Sequence, residues 1–114
     1  MIRTVCAATV VWGLMTGIAG AQTPAQIEHG KTVYAAQKCG VCHAIAGTGN
    51  KKGPLDEVGT SLTAVEIREW IVSAPEMTAK TKAARKPAMK AYPNIVKEDL
   101  DALVAYLQSL KKKA

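Results

Sequence analysis

The sequence predicts an all-α domain of three to five short helices. Two observations carry that expectation. Apolar residues recur at spacings of three and four in three separate stretches, and nowhere do they alternate as a half-buried strand requires. Helix punctuation bounds these stretches, with Thr23-Pro24 and Thr63-Ala64-Val65-Glu66 as starts and Pro75 as a stop. A third observation concerns the core. The chain has 114 residues, 48% of them apolar, but no Phe. A domain of this size builds only a marginal core by itself and usually needs a staple.

Residues 1–21 read as a secretory signal peptide. Met1-Ile2-Arg3 is a short positive start, residues 5–18 are an apolar run, and Ala19-Gly20-Ala21 is a small-x-small cleavage pattern. The run is shorter than the ~20 residues a spanning helix needs; an uncleaved anchor is the alternative. Cys6 lies too early in the run for lipid attachment and leaves with it. Cleavage after Ala21 gives one domain, residues 22–114, with no membrane span and only two cysteines. That domain keeps 14 basic side chains against 9 acidic ones. No Lys/Arg-rich helix interleaved with aromatics is present, which argues against nucleic acid and for an acidic protein partner. The leader places the mature protein in the periplasm of a bacterial source.

The first helix starts at Thr23, with Pro24 at its first position and Gln26 completing a capping box, and runs to about Lys38. Ile27, Gly30, Val33 and Tyr34 share one side of it. Gly30 costs about 1 kcal/mol against Ala in a helix, and close approach of another helix accounts for it. His29 faces elsewhere and reads as a solvated surface histidine.

Cys39-Gly40-Val41-Cys42-His43 follows, and it reads as a c-type haem attachment site. Two thiols form thioethers with the two vinyl groups of the macrocycle. The two intervening residues let one turn present both sulfurs to one edge of the ring. His43 then lies beneath the ring plane, where an imidazole nitrogen binds iron. A structural zinc site needs four ligands, and no Cys or His follows His43. A thioredoxin-like pair needs a β-α-β context and gives His43 no role. One covalent haem c, with the helices wrapped around it, would also supply the apolar volume the core lacks.

Gly47, Gly49, Asn50, Gly53 and Pro54 mark a loop, and a short helix is expected around residues 55–58, closed by Gly59. The next helix starts at the Thr63–Glu66 capping box, carries Ile67, Trp70 and Ile71 on one face, and stops at Pro75. Residues 76–90 read as a loop whose large apolar residues are Met77 and Met89. The last helix carries Leu100, Leu103, Val104, Leu107 and Leu110 as one stripe, with Tyr106 beside it and Val96 near its cap. Glu98, Asp99 and Asp101 at its start and Lys111, Lys112 and Lys113 at its end suit the helix dipole.

With these residues in place, the chain resembles the class I cytochromes c, mitochondrial-type and short bacterial. The likeness covers essentially all of residues 22–114. It rests on the order of the haem motif, Gly53-Pro54-Leu55, Trp70-Ile71 before Pro75, and Met89-Lys90-Ala91-Tyr92-Pro93 ahead of Leu103-Val104-Ala105-Tyr106-Leu107. The position of the motif argues against the four-helix cytochromes c′, whose motif lies near the C-terminus. The resemblance implies that Gly30 and Tyr34 cross Leu103 and Tyr106, that Trp70 and Tyr92 line the haem pocket, and that the Pro54 carbonyl accepts a hydrogen bond from His43. Two departures stand out: Lys90 where the family often has Pro, and Gly-Pro-Leu where it has Gly-Pro-x-Leu.

A thioether opposite His43 stabilises ferrous iron. After cleavage only Met77 and Met89 can supply one. Met77 lies close to a helix whose apolar face is committed to the core. Met89 lies in a loop long enough to reach across the ring, and the residues after it match the family motif, so Met89 is the expected ligand and Met77 the alternative. His29 sits on the helix leading into the attachment site, which is tied to the other side of the ring. With both axial positions filled the iron has no place for substrate. The expectation is a soluble, monomeric one-electron carrier, not an enzyme; the alternative is a dedicated haem subunit of a periplasmic dehydrogenase complex. Lys51, Lys52, Lys80, Lys82, Arg85, Lys86 and Lys90 would rim the haem edge and steer an acidic redox partner onto it. Residues 111–113 would lie away from that edge.

Overall fold

Thr23 does cap the first helix, α1 (Pro24–Ala36): its hydroxyl accepts the Gln26 amide at 3.1 Å, so one half of the expected box forms. The computed structural model describes residues 22–113, and the expected signal peptide lies outside the described residues. α1 ends two residues before the expected limit because Lys38 takes a left-handed backbone, φ 57°, and turns the chain into a 3-10 turn, Cys39–Val41. Helices α2 (Val58–Ser61), α3 (Ala64–Val72), α4 (Ala74–Thr81) and α5 (Lys97–Gln108) follow. Among the described residues none of the helices is long and apolar enough to cross a membrane.

The centre of the molecule is the crossing of α1 on α5. A Cβ at Gly30 would collide with the Ala102 carbonyl and the Tyr106 Cβ, so the glycine is there for closeness of approach. One turn on, Tyr34 meets Tyr106 edge to face with ring centroids 6.0 Å apart. Ala102, rather than Leu103, takes the contact with Gly30. His29 is exposed, and its Nε2 lies 2.8 Å from Asp99 Oδ1, which ties the outer sides of the two helices together. Residues 102–107 are all buried, and Leu100, Leu103, Val104 and Leu107 pack with Val33, Ile67 and Ile71.

Three local expectations are corrected. The chain after His43 forms a small antiparallel hairpin, β1 (Ala44–Ile45) with β2 (Thr48–Gly49), around a turn at Ala46 and Gly47 with φ 50° and 79°. Strands of two residues leave no alternation to read. The short helix starts at Val58 and contains Gly59. Gly59 does not close it; the residue packs on the C-terminal end of α5, where Gln108 Nε2 and Lys111 Nζ both donate to its carbonyl at 2.8 and 2.6 Å. Pro75 stops α3 but also starts α4, since a proline costs nothing at the first turn of a helix. Residues 76–81, expected as loop, are therefore helical, and Lys80 stands on α4. The capping box at the start of α3 forms in full, Thr63 Oγ1 accepting from Glu66 N at 3.2 Å and Glu66 Oε1 from Thr63 N at 3.0 Å.

Candidate functional site

The helices leave a cavity of about 590 Å³ between them, within the range of cofactor sites. Ile67, Trp70 and Ile71 of α3 and Leu103 and Leu107 of α5 form apolar walls. The 3-10 turn brings Cys39, Cys42 and His43 to it, and the loop before α5 brings Met89, Lys90 and Tyr92.

The turn is built by its own backbone. Cys42 N and His43 N both donate to the Cys39 carbonyl, at 3.1 and 3.0 Å. The two cysteines form no disulfide with each other; Cys39 is half-buried and Cys42 exposed. Burial pushes the Cys39 thiol above its ordinary pKa. His43 Nδ1 lies 3.0 Å from the carbonyl of Gly53. A carbonyl only accepts, so Nδ1 carries the proton, and in the neutral ring Nε2 keeps its lone pair for a metal. Burial, chiefly, pushes the His43 pKa down and favours that neutral ring; the Gly53 bond opposes the shift and the Arg85 charge adds to it.

This geometry corrects the expected role of Pro54. The acceptor is one residue earlier. Ala44 and Pro54 form a parallel bridge in which Ala44 N donates to Gly53 O at 3.1 Å and Leu55 N to Ala44 O at 2.9 Å. The Gly53 carbonyl thereby serves both the Ala44 amide and the His43 ring. Pro54 is exposed and does not line the cavity.

The two methionines part company. Met89 is half-buried and lines the cavity, whereas Met77 is 6% exposed, sits in α4 and is absent from the lining. Trp70 and Tyr92, both half-buried, line it too. The Tyr92 amide donates to Ile71 O at 2.7 Å, which anchors the Met89 loop to α3. The Lys90 ammonium lies 5.1 Å from the centre of the Tyr92 ring. Lys51, Lys52, Lys80, Lys82, Arg85, Lys86 and Lys90 are all exposed, but only Arg85 and Lys90 of that set reach the lining. Leu55, Val58 and Leu62 belong to the walls without having been expected there; their spacing of three and four was the available signal. Val41, 69% exposed, puts an apolar side chain at the cavity mouth.

The donor set fits a haem c: two thiols on one turn, a correctly protonated imidazole, a thioether and apolar walls. The cytochrome c family model matches residues 27–111. A curated relative, cytochrome c oxidase subunit 2 from Alkalihalophilus pseudofirmus, is 36% identical over 91 residues, covering 72% of this chain and 25% of that protein. The chain thus spans about a quarter of the relative it matches. No solved structure matches. A family match that takes in the haem motif and all five helices but the first turn of α1 leaves one conclusion: this chain belongs to the cytochrome c family and binds haem c covalently.

Proposed function

We propose that the protein is a soluble one-electron carrier that works outside the cytoplasm after loss of residues 1–21. Cys39 and Cys42 would hold the haem through thioethers, and His43 and Met89 would supply the two protein ligands of its iron. The observation that carries this reading is the shared cavity: His43 and Met89 line it together, while Met77 is packed away in α4. Haem supplies a one-electron ferric/ferrous couple, and an axial thioether raises its potential. The chain's own residues do the rest. Gly53 orients the imidazole and raises its basicity. Trp70, Leu103 and Leu107 exclude water. With both axial positions filled no site for substrate remains, so the molecule shuttles electrons and does no chemistry of its own. The exposed basic side chains around residues 51–52 and 80–90 attract an acidic partner.

A second reading has its own support. The similarity to an oxidase subunit favours a haem module within a larger oxidoreductase complex, where the electron passes within an assembly.

The ligand set is tested by substitution. Met89→Ala lowers the reduction potential and opens ferric iron to azide, while Met77→Ala changes neither. The reverse pattern in a potentiometric and azide titration would make Met77 the ligand and remove the basis of this assignment.

A further inference from the structure

The segment that carries Met89 is sparsely tied to the rest of the molecule. Backbone hydrogen bonds hold its ends, Ala83 N to Thr78 O at 3.1 Å and Tyr92 N to Ile71 O at 2.7 Å, and among the described residues none is made by 84–91. One side chain from the middle of this segment crosses to the His43 side. The Arg85 guanidinium lies over the Cα of Gly53 and lines the cavity. Among the described residues it has no carboxylate partner. Gly53 does not take a positive φ, unlike Gly47 and Gly49, so its backbone does not ask for glycine. What glycine supplies there is space, and the guanidinium and the Cys42 carbonyl occupy the place a Cβ would take.

We propose that Arg85 is a positioning residue that clasps the Met89 segment to the Cys42–Gly53 turn and thereby controls how readily the sixth coordination position opens. The proposal rests on the reading of Met89 as the axial ligand. A delocalised, weakly hydrated guanidinium packs against backbone in a way that a compact, strongly hydrated ammonium does not. Releasing it frees the segment between its two end anchors, so an external ligand competes better with the thioether. The charge itself adds a separate effect, since a cation beside the His43 ring favours the ferrous state.

The test is azide titration of the ferric holoprotein, with the reduction potential measured on the same samples. Arg85→Gln should bind azide about three- to five-fold more tightly than the unaltered protein, the span of one exposed charged contact, and should have a lower potential. Arg85→Lys should restore the potential, because it keeps the charge, but not the azide affinity. Lys82→Gln makes the same change of charge three residues away and should leave azide affinity unchanged. Met89→Ala is the control, and should bind azide far more tightly than any of these. An Arg85→Gln protein with unaltered azide affinity, or one indistinguishable from Lys82→Gln, overturns the clasp while leaving Met89 as ligand. A Met89→Ala protein that binds azide no better overturns the ligand assignment, and the clasp with it.

Discussion

At the scale of single residues, the site depends on atoms that a sequence names poorly. The Gly53 carbonyl, not that of Pro54, holds the His43 ring, and a backbone carbonyl has no signature in the side-chain pattern. The cysteines and His43 are legible because they lie within five consecutive residues and one turn. Met89 and Met77 are chemically identical; loop position and the residues that follow favour Met89 in the sequence, and packing puts Met89 and not Met77 on the cavity. Tyr34 shows the opposite case, a buried polar atom on the cavity wall with no partner on the chain around it. Its hydroxyl is buried and has no hydrogen-bond partner among the described residues, and burial, first, pushes its pKa up to about 12. A buried hydroxyl without a partner costs about 1–3 kcal/mol of desolvation. Tyr34→Phe keeps the edge-to-face contact with Tyr106 and removes that cost. The melting temperature of the variant should be unchanged or higher by a few degrees, since about 1 kcal/mol shifts a domain of this size by roughly 4–8 °C. A fall of several degrees would show that the hydroxyl has a partner in the folded protein.

At the scale of elements, α1, α3 and α5 were legible from caps and apolar spacing; α2 was expected three residues too early, and α4 and the hairpin were not foreseen. α4 was hidden because Pro75 is both the stop of one helix and the start of the next. The hairpin was hidden because two residues per strand carry no period. α5 also carries an ion-pair network that reaches a neighbouring helix. Asp101 accepts from Lys97 Nζ at 2.7 Å and from the Arg68 guanidinium, which joins α5 to α3. Those hydrogen bonds, that of Lys97 first, hold the Asp101 carboxyl below its usual pKa. A pKa depressed by folding contributes stability above the unfolded value of about 3.9, and that contribution is lost as pH falls through the folded value. Asp101→Asn should therefore lower stability at pH 7 by about 0.5–1 kcal/mol, because solvent screens so exposed a network. The gap to the unaltered protein should close below about pH 4. Thermal melts at pH 7 and pH 3 decide this, and an equal gap at both would assign the loss to packing.

At the scale of the whole molecule, the chain wraps an apolar cavity with α5 through its centre, and the sequence foretold this most clearly by what it lacks. A chain without Phe and with two cysteines on one turn needs a large apolar group to complete its core. The same scale governs docking. Lys51, Lys52, Lys82, Lys86 and Lys90 are exposed in loops, so the attraction we propose for an acidic partner is long-range and screened beyond about 10 Å at 0.1 M salt. The second-order rate of electron transfer to the partner should fall steeply with ionic strength in stopped-flow measurements. Lys86→Glu should slow it with little change in potential or melting temperature, and charge reversal at Lys112 should slow it much less. Equal losses from the two sites would reduce the basic charge to a solubility feature.

The central claim is that Cys39 and Cys42 carry a covalent haem in a mature protein beginning at Gln22. Mass spectrometry of the exported protein after acid–acetone extraction tests it directly. The account predicts that the haem stays with the protein, that a peptide containing both cysteines bears its mass, and that residues 1–21 are gone. Haem that leaves with the solvent, or cysteines recovered as free thiols, would contradict it.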